Sequence, residues 1–141
     1  MLQSTSTRKG GTMIANAKAE PVIPVSDLDR AAGFYGETLG LSEVARYEEP
    51  AANPMIRYAV GDSTVLIYKS VGAGQSRHTL VGFIVDDIEA AVDDLRGRGV
   101  TFEEYDMGDI KTENGIAALG DDKAAWFKDP DGNILGVGQY G

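Results

Sequence analysis

Pro21-Val22-Ile23-Pro24-Val25-Ser26-Asp27-Leu28-Asp29-Arg30-Ala31-Ala32-Gly33-Phe34-Tyr35 is the stretch that decides the fold. Its first five residues read as a strand. Ser26 and Asp27 place side-chain oxygens where a helix begins, and Asp29 adds negative charge to the first turn. Leu28, Ala31, Tyr35 and Leu39 then share one helical face. The same order returns sixty residues later. Leu80-Val81-Gly82-Phe83-Ile84-Val85 leads into Asp86-Asp87, and Ile88, Ala91, Val92 and Leu95 form the apolar stripe. Gly40 and Gly99 suit the left-handed positions that end helices.

The sequence downstream of each helix also repeats. Tyr58-Ala59-Val60-Gly61-Asp62 precedes a strand at 64–69, and Trp126-Phe127-Lys128-Asp129-Pro130-Asp131-Gly132-Asn133 precedes one at 134–137. Both turn sequences sit between extended runs and predict hairpins. Matching Asp62 to Asp131 gives an offset of 69. A further strand is expected at 43–48 and at 100–106. Residues 107–122 are polar and contain glycine, and read either as a pocket lid or as a surface excursion. The expected organisation is a disordered tail over 1–16 and one domain over 17–141, built of βαβββ modules at about 18–72 and 77–140. Two such modules, each with a helix on one sheet face, can curve their open faces into a cup with the helices outside.

Composition narrows the chemistry. The 141 residues contain no cysteine and a single histidine, His78, which excludes thiolate sites and any centre needing two imidazoles from one chain. The net charge of −9 argues against a nucleic-acid groove, and is compatible with plain solubility or with a cationic ligand. No apolar run approaches the ~18 residues of a membrane span. The first residues lack the apolar core of a secretory signal, so no membrane partner and a cytoplasmic location are expected. Gly72-Ala73-Gly74 lacks the Lys-Ser/Thr ending of a phosphate loop, and Asp129-Pro130-Asp131-Gly132 lacks the spacing of a calcium loop.

Val25 through Leu41, with its Asp27-Leu28, Phe34-Tyr35 and Leu39-Gly40-Leu41 landmarks, followed by the 85–100 helix segment and Phe127-Lys128-Asp129-Pro130-Asp131-Gly132-Asn133, resembles the vicinal-oxygen-chelate superfamily. That superfamily includes glyoxalases, extradiol dioxygenases and bleomycin-resistance proteins, and the resemblance covers about residues 18–140. It implies the α+β cup and, in metal-dependent members, a divalent metal held by His, Glu or Gln from the first and last strands of each module. Carried onto this chain, the ligand positions are Glu20 and Leu80, seven residues before the helix-starting aspartates. Gly136 is the corresponding last-strand position, and the 69-residue offset adds Ile67. Only Glu20 offers a donor, fewer than a transition-metal site requires.

The expectation is therefore a protein without metal or cofactor that binds or sequesters an aromatic or cationic organic compound, as the bleomycin-resistance branch does, and forms a homodimer. Candidate ligand-binding residues are Glu20, Val22, Ile67, His78, Leu80, Trp126 and Gly136. Glu20 would anchor an amine, or act as a base if burial raised its pKa. Of the neighbours Trp126 and Phe127, one faces the core and the other the cup; Tyr47, Tyr68 and Tyr105 are further aromatic candidates. The alternative is a lyase, isomerase or dioxygenase, metal-dependent or using Glu20. Whether the cup closes within one chain or between swapped chains is left open.

Overall fold

The computed structural model describes residues 11–49 and 53–141. The first module contains β1 (Val22–Val25), α1 (Leu28–Ala32), β2 (Ser42–Tyr47), β3 (Met55–Val60) and β4 (Ser63–Lys69). The second contains β5 (Thr79–Ile84), α2 (Ile88–Gly97), β6 (Asp106–Met107), β7 (Ile110–Glu113), β8 (Ile116–Leu119), β9 (Asp122–Lys128) and β10 (Ile134–Gln139). Two sheets result, in the orders β1-β4-β3-β2 and β5-β10-β9-β8-β7-β6. In each, the first strand runs parallel to the last, and the remaining pairs are antiparallel. This is the mixed α+β architecture that the repeat implies.

Local chemistry starts both helices in the same way. The side chain of Asp27 accepts from the backbone N–H of Arg30 at 3.1 Å, and that of Asp87 from Ala90 at 3.1 Å. Gly40 and Gly99 follow with φ of 73° and 95°. The first helix does not continue as an α-helix to Leu39. From Gly33 to Thr38 it widens into a π-helix, with Leu39 N–H bonded to Phe34 C=O at 2.8 Å. Two glycines in those six residues weaken the α-helical preference.

Three sequence expectations change. The strand expected at 100–106 reduces to a bridge from Phe102 to Phe127 plus the short β6. The segment 107–122 is not a plain loop: β7 and β8 extend the second sheet, and Met107 and Ile110 from it stand beside Trp126. Of the expected tail, residues 1–10 lie outside the described residues, while Ile14–Asn16 form a 3-10 turn with Met13 and Ile14 exposed.

The core shows how the modules join. Ile23, Val25, Ile56, Tyr58, Val65 and Ile67 from one sheet form a single buried cluster with Ile88, Val92, Phe127, Leu135 and Val137 from the other module. Tyr35 stacks on Tyr58 of β3 at 6.4 Å, and its hydroxyl donates to Asp129, just beyond β9, at 2.7 Å. The adjacent Phe34 lies 6.3 Å from Phe127 of β9. If the sheets met edge to edge through β1 and β5, β3 and β9 would be five strand spacings apart, roughly 24 Å. One helical turn cannot bridge that distance, so α1 lies between the sheets. Each helix thus covers the face opposite the open one, and within one chain the two open faces point apart.

A polar clasp holds this arrangement. Asp129, 5% exposed, accepts from the Tyr35 hydroxyl, from the N–H groups of Asp131 and Asn133, and from Asn133 Nδ2. Asn133 Nδ2 also donates to Pro24 C=O at 2.7 Å, and Ser26 and Arg30 donate to Asp131. Burial pushes the Tyr35 hydroxyl pKa up and neighbouring Asp129 adds to the shift, so this group stays a donor. Gly74 in the linker has φ of 74°, and a Cβ there would collide with the Asp131 carbonyl.

Candidate functional site

Strand alternation sorts the side chains. In the first module Ile67 pairs with Ile23 and Ile56, and all three are fully buried beneath α1. Val22, Leu66 and Arg57 pair across the same strands and face the open side. In the second module Val137 pairs with Phe83 and Ala125 on the helix side, whereas Gly136 pairs with Gly82 and Trp126 on the open side.

These registers correct two expected positions. Ile67 does not line the open face. Gly61 and Asp62 separate the paired Val60 and Ser63, but Pro130, Asp131 and Gly132 separate the bonded Asp129 and Asn133. The second turn is one residue longer, so beyond it the repeat offset becomes 70 and the counterpart of Gly136 is Leu66. A one-residue slip moves a side chain to the other face. Leu80 also leaves the open face. The register jumps from Thr79–Ile134 to Val81–Leu135, which makes Leu80 the bulged residue, and it packs against the core.

The open face of the first module is polar at one end. Arg57 Nε donates to Glu20 at 2.7 Å and Arg57 Nη2 at 3.1 Å, forming a two-point pair. Thr64 donates to the same carboxylate, and Arg57 Nη1 donates to the Tyr47 hydroxyl at 2.9 Å. The Arg57 hydrogen bonds, then that of Thr64, hold the Glu20 carboxyl below the usual carboxylate range, against the opposing pull of partial burial. Glu20 is thus an ionised, paired group, not the pKa-raised base considered above. Its stabilising contribution is fully present above the unfolded value and is lost as pH falls through the lowered folded value. Urea midpoints of wild type and Glu20→Gln are therefore expected to differ at neutral pH and to converge on acidification below the ordinary carboxylate range. A gap that persists at the lowest pH would contradict the pairing.

The open face of the second module is apolar and sparsely covered. Gly82, Gly136, Gly138 and Ala124 give it a floor almost without side chains. A Cβ on Gly82 would meet nothing within 4 Å, and one on Gly136 would meet Thr79 at 3.3 Å and the indole of Trp126 at 3.6 Å. Trp126 takes the open side and Phe127 the core, 0% exposed. Tyr105 meets Trp126 edge-on at 5.5 Å. These two, with Arg77, His78, Thr79, Met107, Ile110 and Ile134, line a cleft of about 300 Å³, the lower end of the range for small-molecule sites. Ile84 is 58% exposed on this face, and Val22 51% on the other. A smaller apolar cleft of about 170 Å³ lies on the helix side among Leu39, Leu41, Phe83 and Leu95, away from both open faces.

The structure thus gathers His78, Trp126 and Gly136 on one open face and Glu20 and Val22 on the other. Sequence reasoning missed Arg57, Arg77, Thr79, Met107 and Ile110. Arg57 was accessible, since the 69-residue offset matches it to Trp126. The metal positions do not fit a metal: Leu66, the corrected counterpart of Gly136, has no donor, Leu80 is an apolar bulge residue packed against the core, Gly136 has no side chain, and Glu20 is engaged by Arg57 and Thr64. Among the described residues no three His, Cys, Asp or Glu converge as a metal-binding group. Also among these, no helix is long and apolar enough to cross a membrane.

Comparison with known proteins gives matches at three levels. The family model described as Glyoxalase/Bleomycin resistance protein/Dioxygenase superfamily matches residues 18–137. A probable chloroplastic lactoylglutathione lyase of Arabidopsis thaliana is 28% identical over 120 residues, covering 79% of this chain; the chain spans only 32% of that protein. Among solved structures, a glyoxalase/bleomycin resistance protein from Streptomyces sp. CB03234 superposes with a TM-score of 0.64 at 24% identity, covering 87% of this chain and all of that one. TnmS3, an antibiotic-binding protein from the same Streptomyces, gives 0.62 at 23%, covering 86% and 93%. At these identities the structures establish the shared fold.

Proposed function

The chain belongs to the Glyoxalase/Bleomycin resistance protein/Dioxygenase superfamily, and from that premise we propose that it is a metal-free protein that binds and sequesters a flat aromatic compound. The observation that carries this reading is Trp126 lying beside a glycine floor on an open sheet face. A bare floor admits a planar molecule against the backbone, and an indole with a neighbouring phenol supplies stacking surface. The antibiotic-binding character of TnmS3 supports the same class of function. The similarity to the lactoylglutathione lyase favours an enzyme instead, but a metal-dependent one needs donors that Leu66, Leu80 and Gly136 do not supply. We place the protein in the cytoplasm.

We further propose that the binding unit is a homodimer. A cup has two walls, and one chain turns its two open faces apart. Exposed Val22 and Ile84 on those faces become covered if the first module of one copy faces the second module of its partner. Mixing two variants tests this. Leu66→Arg blocks the wall from the first module, Trp126→Ala removes the stacking group from the second, and each homodimer is expected to lose binding of an aromatic probe. A co-refolded equal mixture is expected to regain about a quarter of the wild-type sites, because half the dimers are mixed and one of the two cups in each is unaltered. A mixture that forms dimers yet recovers no binding would place the whole cup within one chain.

A further inference from the structure

We propose that the ligand of the Trp126 cleft is an aromatic acid, a planar ring system carrying a carboxylate or a comparably charged oxygen; this rests on the binding function proposed above. The overall charge of −9 would suggest the opposite preference. Local chemistry outweighs it, because a site responds first to the groups within a few ångströms and distant surface charge is screened within roughly 8–10 Å.

The polar groups lining the cleft are Arg77, His78, Thr79, Tyr105 and Trp126, and no carboxylate is among them. The guanidinium and the indole N–H only donate, and the two hydroxyls can donate. A ligand that satisfies this set must bring acceptors. Among the described basic residues without an ion pair, Arg77 is the one that lines this cleft. Arg30, Arg46, Arg57, Arg98, Lys123 and Lys128 each have a carboxylate within 4 Å. Among the described residues Arg77 makes no ion pair, yet it stands at the mouth of the cleft with His78. Glu104 and Asp106 flank Tyr105 in sequence, but neither lines the cleft, and the Glu104 carboxylate is taken up by the Thr112 hydroxyl and the Gly115 N–H. On the facing wall of the proposed dimer, Glu20 is neutralised by Arg57. The cleft is therefore a cationic, donor-rich patch on an acidic protein, built beside a stacking surface. An arginine fork matches a carboxylate in two-point geometry.

The chain has a single tryptophan, Trp126, so intrinsic fluorescence reports on this cleft. The test titrates full-length protein with 2-naphthoate, 2-naphthamide and 2-naphthylmethylamine, which share a ring and differ in charge. Naphthoate is expected to quench Trp126 and to bind about tenfold more tightly than the amide, as a charge-assisted hydrogen bond allows. The amine is expected to be weakest. Arg77→Ala is expected to erase the advantage of the acid by weakening naphthoate about tenfold and the amide much less, and Arg77→Lys to retain part of it. Equal affinity for all three, or preference for the amine, would overturn the acid assignment and leave the aromatic-binding reading intact. Failure of all three to bind would overturn both.

Discussion

Phe127→Ala is expected to lower the free energy of unfolding by about 3–5 kcal/mol, the usual cost of emptying a buried aromatic site. Phe127 is fully buried, lies edge-on to Phe102 at 5.5 Å, and has its ring centre 6.3 Å from that of Phe34 in the π-helical turn after α1. It therefore joins three parts of the core: the sheet of the second module, the segment after α2, and the helix contributed by the first module. Its loss leaves a cavity where the two modules meet, and tight packing nearby limits collapse into it. Urea unfolding followed by circular dichroism measures the effect. A loss below about 1 kcal/mol, the level of an ordinary surface change, would contradict the placement of this ring.

Its neighbour should behave in the opposite way. Trp126→Ala is expected to weaken binding of a naphthalene probe about thirtyfold or more, as removal of a central aromatic anchor does elsewhere. Its stability cost should be much smaller than that of Phe127→Ala, because Trp126 stands on the open face over Gly136. Calorimetry measures this binding, since the variant has no tryptophan to report it. The two substitutions, one residue apart on β9, separate folding from function because a strand sends successive side chains to opposite faces. Equal affinity in wild type and Trp126→Ala would remove the cleft from the account.

How far the sequence carried this picture follows from the range of each interaction. The duplication, the aspartate caps and the hairpins were legible because Asp27, Asp87 and the glycines act within three or four residues of themselves. Alternation showed that Trp126 and Phe127 part company, but it left open which ring was buried; contact with Phe34 and Phe102 decides that, and those partners are distant in sequence. The facing positions went astray by a single residue. The longer turn at Pro130-Asp131-Gly132 and the bulge at Leu80 each shift the strand by one, and neither changes the apolar pattern by which strands are recognised. Glu20 was found, but its partner Arg57, 37 residues away, was not. An unpaired acid reads as reactive, whereas a paired one is an anchored wall. The strands β7 and β8 were hidden by their shortness, four residues each, between the turn glycines Gly108, Gly115 and Gly120. The placement of α1 between the sheets depends on Tyr35 reaching both modules and Phe34 the second, which no local motif announces.

The central claim is that this cleft holds an aromatic ligand through side chains alone. The most direct test measures 2-naphthoate affinity by Trp126 quenching on one preparation before and after exhaustive treatment with a chelator, with metal content determined by mass spectrometry on both halves. No transition metal at stoichiometric level and the same affinity in both samples are expected. One tightly held Zn, Ni, Mn or Fe per chain, whose removal abolishes binding and whose return restores it, would contradict the account.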